Sequence, residues 1–162
     1  MSGHVLAVST SPNKGEKKVN QAAVEFKENW GIVGDGHAGD GHRQVSLLTL
    51  DSIEKMRAKG AKVNPGDFAE NVTVEGIDLE LVAVGERLAV GEGVILRVTQ
   101  KGKECHKPCR IYYEAGMCVM PENGVFAVVE KGGIVRPGDV MKGVVCSNSD
   151  AVVGAISRSP AP

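Results

Sequence analysis

The sequence predicts a mainly β protein, a closed or nearly closed barrel with one clear helix and short helical turns. Three observations predict it. Short apolar stretches, several with a period of two, recur along the chain and are punctuated by turn residues at intervals of about 8–12 positions. Glycine occurs 21 times in 162 residues while aromatics make up 4%, a mixture that suits short strands and tight turns better than a helical bundle. Only one stretch has a convincing helical pattern, so the architecture is built from strands.

The elements follow in order. "GHVLAV" (3–8) opens the set, and "VNQAAVEF" (19–26) places Ala22, Val24 and Phe26 on one face. "RQVSLL" (43–48) is the next strand. "RLAV" (87–90) and "GVILRVT" (93–99) form a hairpin across a Gly-Glu-Gly turn, and "VFAVV" (125–129) and "VMKGVV" (140–145) complete the set. Pro-Gly-Asp occurs at 65–67 and again at 137–139; proline presets φ and glycine supplies positive φ, so both are turns. The helix covers about residues 50–59. Thr49 is its N-cap, Leu50, Ile53 and Met56 form its apolar stripe, and Lys55, Arg57 and Lys59 favour its negative end before Gly60. A second short helix is expected near Tyr112–Met117. Residues 1–145 read as one domain, and the small, polar, proline-ended stretch 146–162 reads as a loose tail.

Charge and hydropathy narrow the function. There are 19 basic and 20 acidic residues, without a block of either sign, so neither a nucleic-acid arm nor an acidic tail is indicated. No apolar run approaches the roughly 18–20 residues of a membrane span, and "MSGHVLAVSTSPNKG" lacks the pattern of a signal peptide. The expected compartment is the cytoplasm, where four cysteines suit thiol chemistry or metal ligation better than a disulfide framework.

Three segments carry chemistry. In "GDGHAGDGHRQVS" (34–46), glycines permit close backbone approach while His37, His42 and Arg43 offer donors to an anion such as phosphate; the segment reads equally as a solvated glycine turn. In "PGDFAENVTVEGIDL" (65–79), Asn71 either donates its amide to a ligand or hydrogen-bonds its own loop. The third, "KGKECHKPCRI" (101–111), sets Cys105 and Cys109 among Lys103, Lys107 and Arg110. Nearby positive charge favours the thiolate, the form that attacks or ligates. The bland alternative is a buried core cysteine. Zinc is also arithmetically open, since Cys105 and Cys109 with His37 and His42 satisfy its ligand spacings. Cys118 has no adjacent base and no cysteine at metal spacing, Cys146 sits at the start of the tail, and both read as bystanders.

Taken together, "GIVGDGHAGDGHRQVSLL", "PGDFAENVTVEGIDL", "VGERLAVGE", "TQKGKECHKPCRI" and "GVFAVVEKGGIVRPGD" resemble, in order and spacing, the MOSC family, the C-terminal domain of molybdenum cofactor sulfurase. The resemblance covers about residues 3–143 and is nearest to small stand-alone bacterial members. It implies a barrel-like, mostly β fold and a cysteine that carries persulfide sulfur or ligates molybdenum. Cys109 matches that cysteine best, and Cys105 is an additional thiol. The resemblance matches Gly34, Asp35, His37, Gln44, Val45, Glu70 and Asn71 to segments that line a pocket for the phosphate-bearing pterin of the molybdenum cofactor (molybdopterin), and the basic side chains His42, Arg43 and Lys103 join Asp35, His37 and Asn71 as the candidate cofactor-binding residues.

The activity so implied is sulfur transfer. A separate cysteine desulfurase, which carries the pyridoxal phosphate, donates sulfur to Cys109, and the sulfur passes to the cofactor, to its acceptor enzyme or to another metal–sulfur acceptor. Two other readings stay open: a molybdenum-dependent reductase component acting on N-hydroxylated compounds, with the cysteine as metal ligand, and a zinc-stabilised binding module without catalysis. Neither nucleic acid nor membrane is expected as a partner.

Overall fold

Alternation of buried and exposed side chains begins at the first strand. The computed structural model describes residues 2–102 and 123–144. β1 (Ser2–Thr10) buries Val5 and, beyond a bulge at Leu6, Val8. The further strands are β2 (Val19–Gln21), β3 (Val24–Lys27), β4 (Gly31–Ile32), β5 (Val45–Thr49), β6 (Val72–Glu75), β7 (Arg87–Val90), β8 (Val94–Lys101), β9 (Val125–Lys131), β10 (Gly133–Val135) and β11 (Val140–Val144). One helix, α1 (Leu50–Ala58), follows β5 directly, and a 3-10 turn covers Leu79–Leu81.

Seven of these strands close a barrel. Going round, β1 neighbours β11, then β7, β8, β9, β5 and β6, which pairs again with β1. All contacts in the ring are antiparallel except β5–β6, which is parallel. Parallel neighbours need a crossover, and α1 with the turn after it supplies one. The inward positions Leu47, Val72, Leu88, Leu96, Val98 and Met141 are sealed from solvent and fill the interior. β10, β3 and β4 make a second, three-stranded sheet whose Val24, Phe26, Ile32 and Val135 join the same core.

A smaller core lies on the barrel's outer face. Leu48 and Phe126 point out there, and Ile53 and Met56 of α1, with Val63 and Phe68 of the following loop, cover them. Thr49 caps the helix as expected, its hydroxyl accepting from Ser52 N at 3.2 Å. At the other end Gly60 N–H donates to the Arg57 carbonyl. Leu50, expected in the apolar stripe, is only half-buried.

The hairpin 87–99 is present, with Val90 opposite Val94 across the Gly91–Gly93 turn. Both Pro-Gly-Asp turns form, with Gly66 at φ 95° and Gly138 at φ 97°, values that disfavour a side chain. The stretch 19–26 differs from expectation. It breaks at Ala22–Ala23, so that β2 pairs with β1 while β3 pairs with β10. A period of two records which face is buried and carries no signal for a change of partner. The helix expected near 112–117 and the tail 146–162 lie outside the described residues. No helix among the described residues is long and apolar enough to cross a membrane.

Candidate functional site

The glycine-rich segment is pinned from below by a buried ion pair. Lys18 Nζ donates to Asp35 Oδ1 at 2.8 Å and to Ser11 Oγ at 2.9 Å. Asp35 also accepts from the backbone N–H of Ser11 and, through Oδ2, from that of His37. Burial alone raises the Asp35 pKa. The His37 ring and N–H and the Lys18 ammonium outweigh it and hold the carboxyl well below the usual range. The His37 ring rides above this knot, its Nδ1 3.6 Å from Asp35 Oδ2, buried and without a hydrogen bond among the described residues. A Cβ on Gly36 would lie 2.6 Å from the Asn13 backbone, so the segment packs against that loop as only glycine allows.

Past His37 the segment crosses the outside of β8 and β9. His42 Nε2 meets Gln100 Oε1 at 2.7 Å, and Arg43 Nε donates to the same oxygen at 3.0 Å. Thr99 Oγ1 donates to the His42 carbonyl, and Gln100 Nε2 donates to the Gly102 carbonyl at 2.7 Å. The Arg43 guanidinium stands 5.5 Å from the centre of the Phe126 ring, within cation–π range. Beside this cluster is an open groove of about 750 Å³ lined by Asp40, Gly41, His42, Gln44, Arg97 and Thr99, with Asn29, Val84 and Val128.

The flanks of the cysteine segment meet close by. Gly102 N–H donates to the Gly124 carbonyl at 2.6 Å, and Lys101 pairs with Val125. The described residues on either side of 103–122 therefore meet two residues beyond Gln100. A second groove, about 560 Å³, opens there between the start of α1 and the 76–80 turn, with Lys55, Lys101 and Asn123 on its wall.

Glu70 and Asn71 lie elsewhere, inside the fold. Asn71 is fully buried; its Oδ1 accepts from Ser46 N and Oγ, and its Nδ2 donates to the Ser9 carbonyl at 3.1 Å. It ties β5 and β1 to the start of β6. Glu70 accepts from Gly66 N, Phe68 N and Thr73 Oγ1. Burial pushes its pKa up, against the pull of those donors.

The structure thus brings His42 and Arg43 together on Gln100 and puts Asp35 and His37 at the base of the same segment. Lys103, Cys105 and Cys109 lie outside the described residues, as do Cys118 and Cys146. Among the described residues no three His, Cys, Asp or Glu side chains group as metal ligands. Arg43 fits the anionic, phosphate-bearing end of a molybdenum cofactor, as does His42 when its ring is protonated, while the sulfur ligands that suit the metal would come from the cysteines of the sequence 103–122. Sequence reasoning missed Lys18 and Gln100. Lys18 carried no signal, being one of several lysines in a polar stretch. For Gln100 the signal was the run Thr99-Gln100-Lys101, which ends the apolar alternation of its strand.

Comparison with known proteins places the chain. The family model described as MOSC domain matches residues 34–142. The chain belongs to the MOSC family. Solved MOSC-like structures agree on the fold. The YuaD protein from Bacillus subtilis superposes with a TM-score of 0.73 at 20% identity, over 87% of this chain and 94% of that one. YiiM from Geobacillus stearothermophilus gives 0.68 at 17% identity, over 94% and 78%. YiiM from Escherichia coli gives 0.62 at 20%, over 90% and 70%. No curated protein matches the chain significantly. MOSC membership associates the chain with the molybdenum cofactor, and the matched range contains every candidate residue from Asp35 to Cys109.

Proposed function

We propose that this MOSC protein is a sulfur carrier for the molybdenum cofactor, with Cys109 as the thiol loaded by a separate, pyridoxal-phosphate-dependent cysteine desulfurase. The observation that supports this reading is the meeting of two motifs. The strand that leads into the cysteine segment holds, through Gln100, the His42–Arg43 pair of the glycine-rich segment. Donors suited to an anion and the root of a thiol segment rich in basic residues share one end of β8. Lys103, Lys107 and Arg110 favour the thiolate at Cys109.

The chemistry balances with few parts. The Cys109 thiolate attacks the outer sulfur of the donor's persulfide; the donor's S–S bond breaks, and the donor leaves as a thiolate. Cys109 then holds the sulfur. Attack of Cys105 on Cys109 Sγ forms a disulfide and expels the outer sulfur as hydrosulfide, which takes the electron pair. A thiol reductant restores both cysteines. Arg43, with His37 and Lys103, holds the phosphate of the pterin, His42 joining through Nδ1–H when its ring is protonated, and Asp35 fixes the glycine-rich segment that carries the two histidines and Arg43. When bound, the molybdenum cofactor supplies the centre that accepts sulfur.

Elemental and pterin analysis of the purified protein, beside sulfur loading, tests the reading. A carrier loads sulfur at Cys109 and holds at most exchangeable cofactor. Stoichiometric molybdenum and pterin without loading would favour a reductase component with Cys109 as ligand, and stoichiometric zinc alone a non-catalytic module.

A further inference from the structure

β8 carries a bulge at the place where it meets His42. Val98 pairs with Ala127 and Gln100 with Phe126, so Thr99 is an extra residue in the ladder. A bulge re-aims the side chains around it. Here two consecutive residues serve the same neighbour, Thr99 through the His42 carbonyl and Gln100 through the His42 ring.

Hydrogen-bond chemistry then fixes the state of that ring. Arg43 Nε can only donate, so the Gln100 atom 3.0 Å from it is the carbonyl oxygen. The amide nitrogen, on the other side, donates to the Gly102 carbonyl at 2.7 Å, so the amide has one orientation. His42 Nε2, 2.7 Å from that same oxygen, must therefore carry a proton. In the neutral ring Nδ1 is left as the acceptor. The η nitrogens of Arg43 and Nδ1 of His42 make no hydrogen bond among the described residues.

We propose that Gln100, aimed by the Thr99 bulge, is a positioning residue that presets the Arg43 guanidinium as donor to an anionic, phosphate-class ligand and locks the His42 ring beside it, which adds a donor at Nδ1 only in its protonated form. It touches no ligand itself. It rests on the reading above, in which this segment takes a phosphate-bearing pterin. Holding two long side chains before the ligand arrives removes an ordering cost of binding.

The test uses inorganic pyrophosphate as probe and nitrogen NMR of the neutral His42 ring. Wild-type protein is expected to show the Nε2–H tautomer alone, with slowed exchange of that proton. Gln100→Leu is expected to restore the mixed tautomers and fast exchange of a free ring, and to weaken pyrophosphate binding about tenfold. In an Arg43→Ala background the same change should cost much less, because the donor that Gln100 positions is gone. An Nδ1–H tautomer in the wild type overturns the proposal and needs no variant that must fold. So does unchanged affinity in Gln100→Leu, or no binding of pyrophosphate by the wild type. Sulfur loading of wild-type Cys109 on the same preparation separates the two readings. Loading with unchanged affinity in Gln100→Leu overturns the positioning role alone. No loading with the expected loss of affinity overturns the carrier reading and leaves the positioning role standing.

Discussion

Lys18 Nζ lies 2.8 Å from Asp35 Oδ1, and neither side chain exposes any surface to solvent. The pair joins the loop after β1 to the root of the glycine-rich segment, so the candidate site stands on a buried charge. Removing one partner leaves the other uncompensated. Asp35→Ala or Lys18→Met is expected to cost about 3–5 kcal/mol, and the double replacement Lys18→Met with Asp35→Leu less than the sum. Urea unfolding of the three variants reads this directly, and simple additivity would count against the coupling.

The same pair sets an acid limit. The Asp35 pKa is depressed in the folded protein from its ordinary 3.8, so the stability it contributes is present above that value and is lost as pH falls through the folded pKa. Glu70, raised by burial, has the opposite sign, contributing below its ordinary pKa and losing that contribution as pH rises. Asp35→Asn should therefore flatten the loss of stability below about pH 4, as followed by thermal melts across pH. An unchanged acid slope would show that the ion pair does not govern it.

Glu70 and Asn71 are predicted to matter to the fold whatever they do for a ligand. Asn71→Ala leaves Ser46 N–H and the Ser9 carbonyl short of their buried partner, at about 1–3 kcal/mol for each group left unpaired. Chemical denaturation measures that cost. A loss below about 0.5 kcal/mol would mean that water or a shifted backbone replaces the amide.

Much of this was legible in the chain itself. The barrel followed from strand alternation, the helix from Thr49 and its stripe, and both Pro-Gly-Asp turns from proline and glycine chemistry. The switch of partner at Ala22–Ala23 was not legible, because alternation reports burial and not pairing. Nor was the work of Asn71, since an amide that staples three strands reads in sequence like one that waits for a ligand. Lys18 and Gln100 were invisible for a related reason: the contacts that bring them to the site, Lys18 with Asp35 and Gln100 with Arg43, span 17 and 57 positions, and a short motif holds no trace of such a contact.

On the ligand side, Arg43→Ala and His37→Ala are expected to weaken binding of a phosphate-bearing pterin about tenfold or more each, the loss of one charge-assisted hydrogen bond. Arg43 is exposed, so its melting temperature should hardly move. Calorimetric titration beside a thermal melt checks both, and unaltered affinity in the two variants would assign these side chains to the fold.

The thiol pair has its own signature. If Cys105 releases sulfur from Cys109, mild oxidation should bridge them and dithiothreitol should reverse the bridge. Peptide mapping of the oxidised protein decides. Stoichiometric zinc, with chelation lowering stability sharply and no 105–109 bridge, would promote the binding module instead.

Sulfur carried on Cys109 is what the whole reading depends on, and one experiment weighs it. The protein is incubated with a cysteine desulfurase and cysteine, and its peptides are mapped by mass spectrometry without reductant. The expected result is one added sulfur atom on Cys109, absent from Cys109→Ser, whose circular dichroism matches the wild type. Sulfur that loads at Cys105 in the serine variant with undiminished transfer, or no sulfur on either cysteine of the wild type, would contradict it.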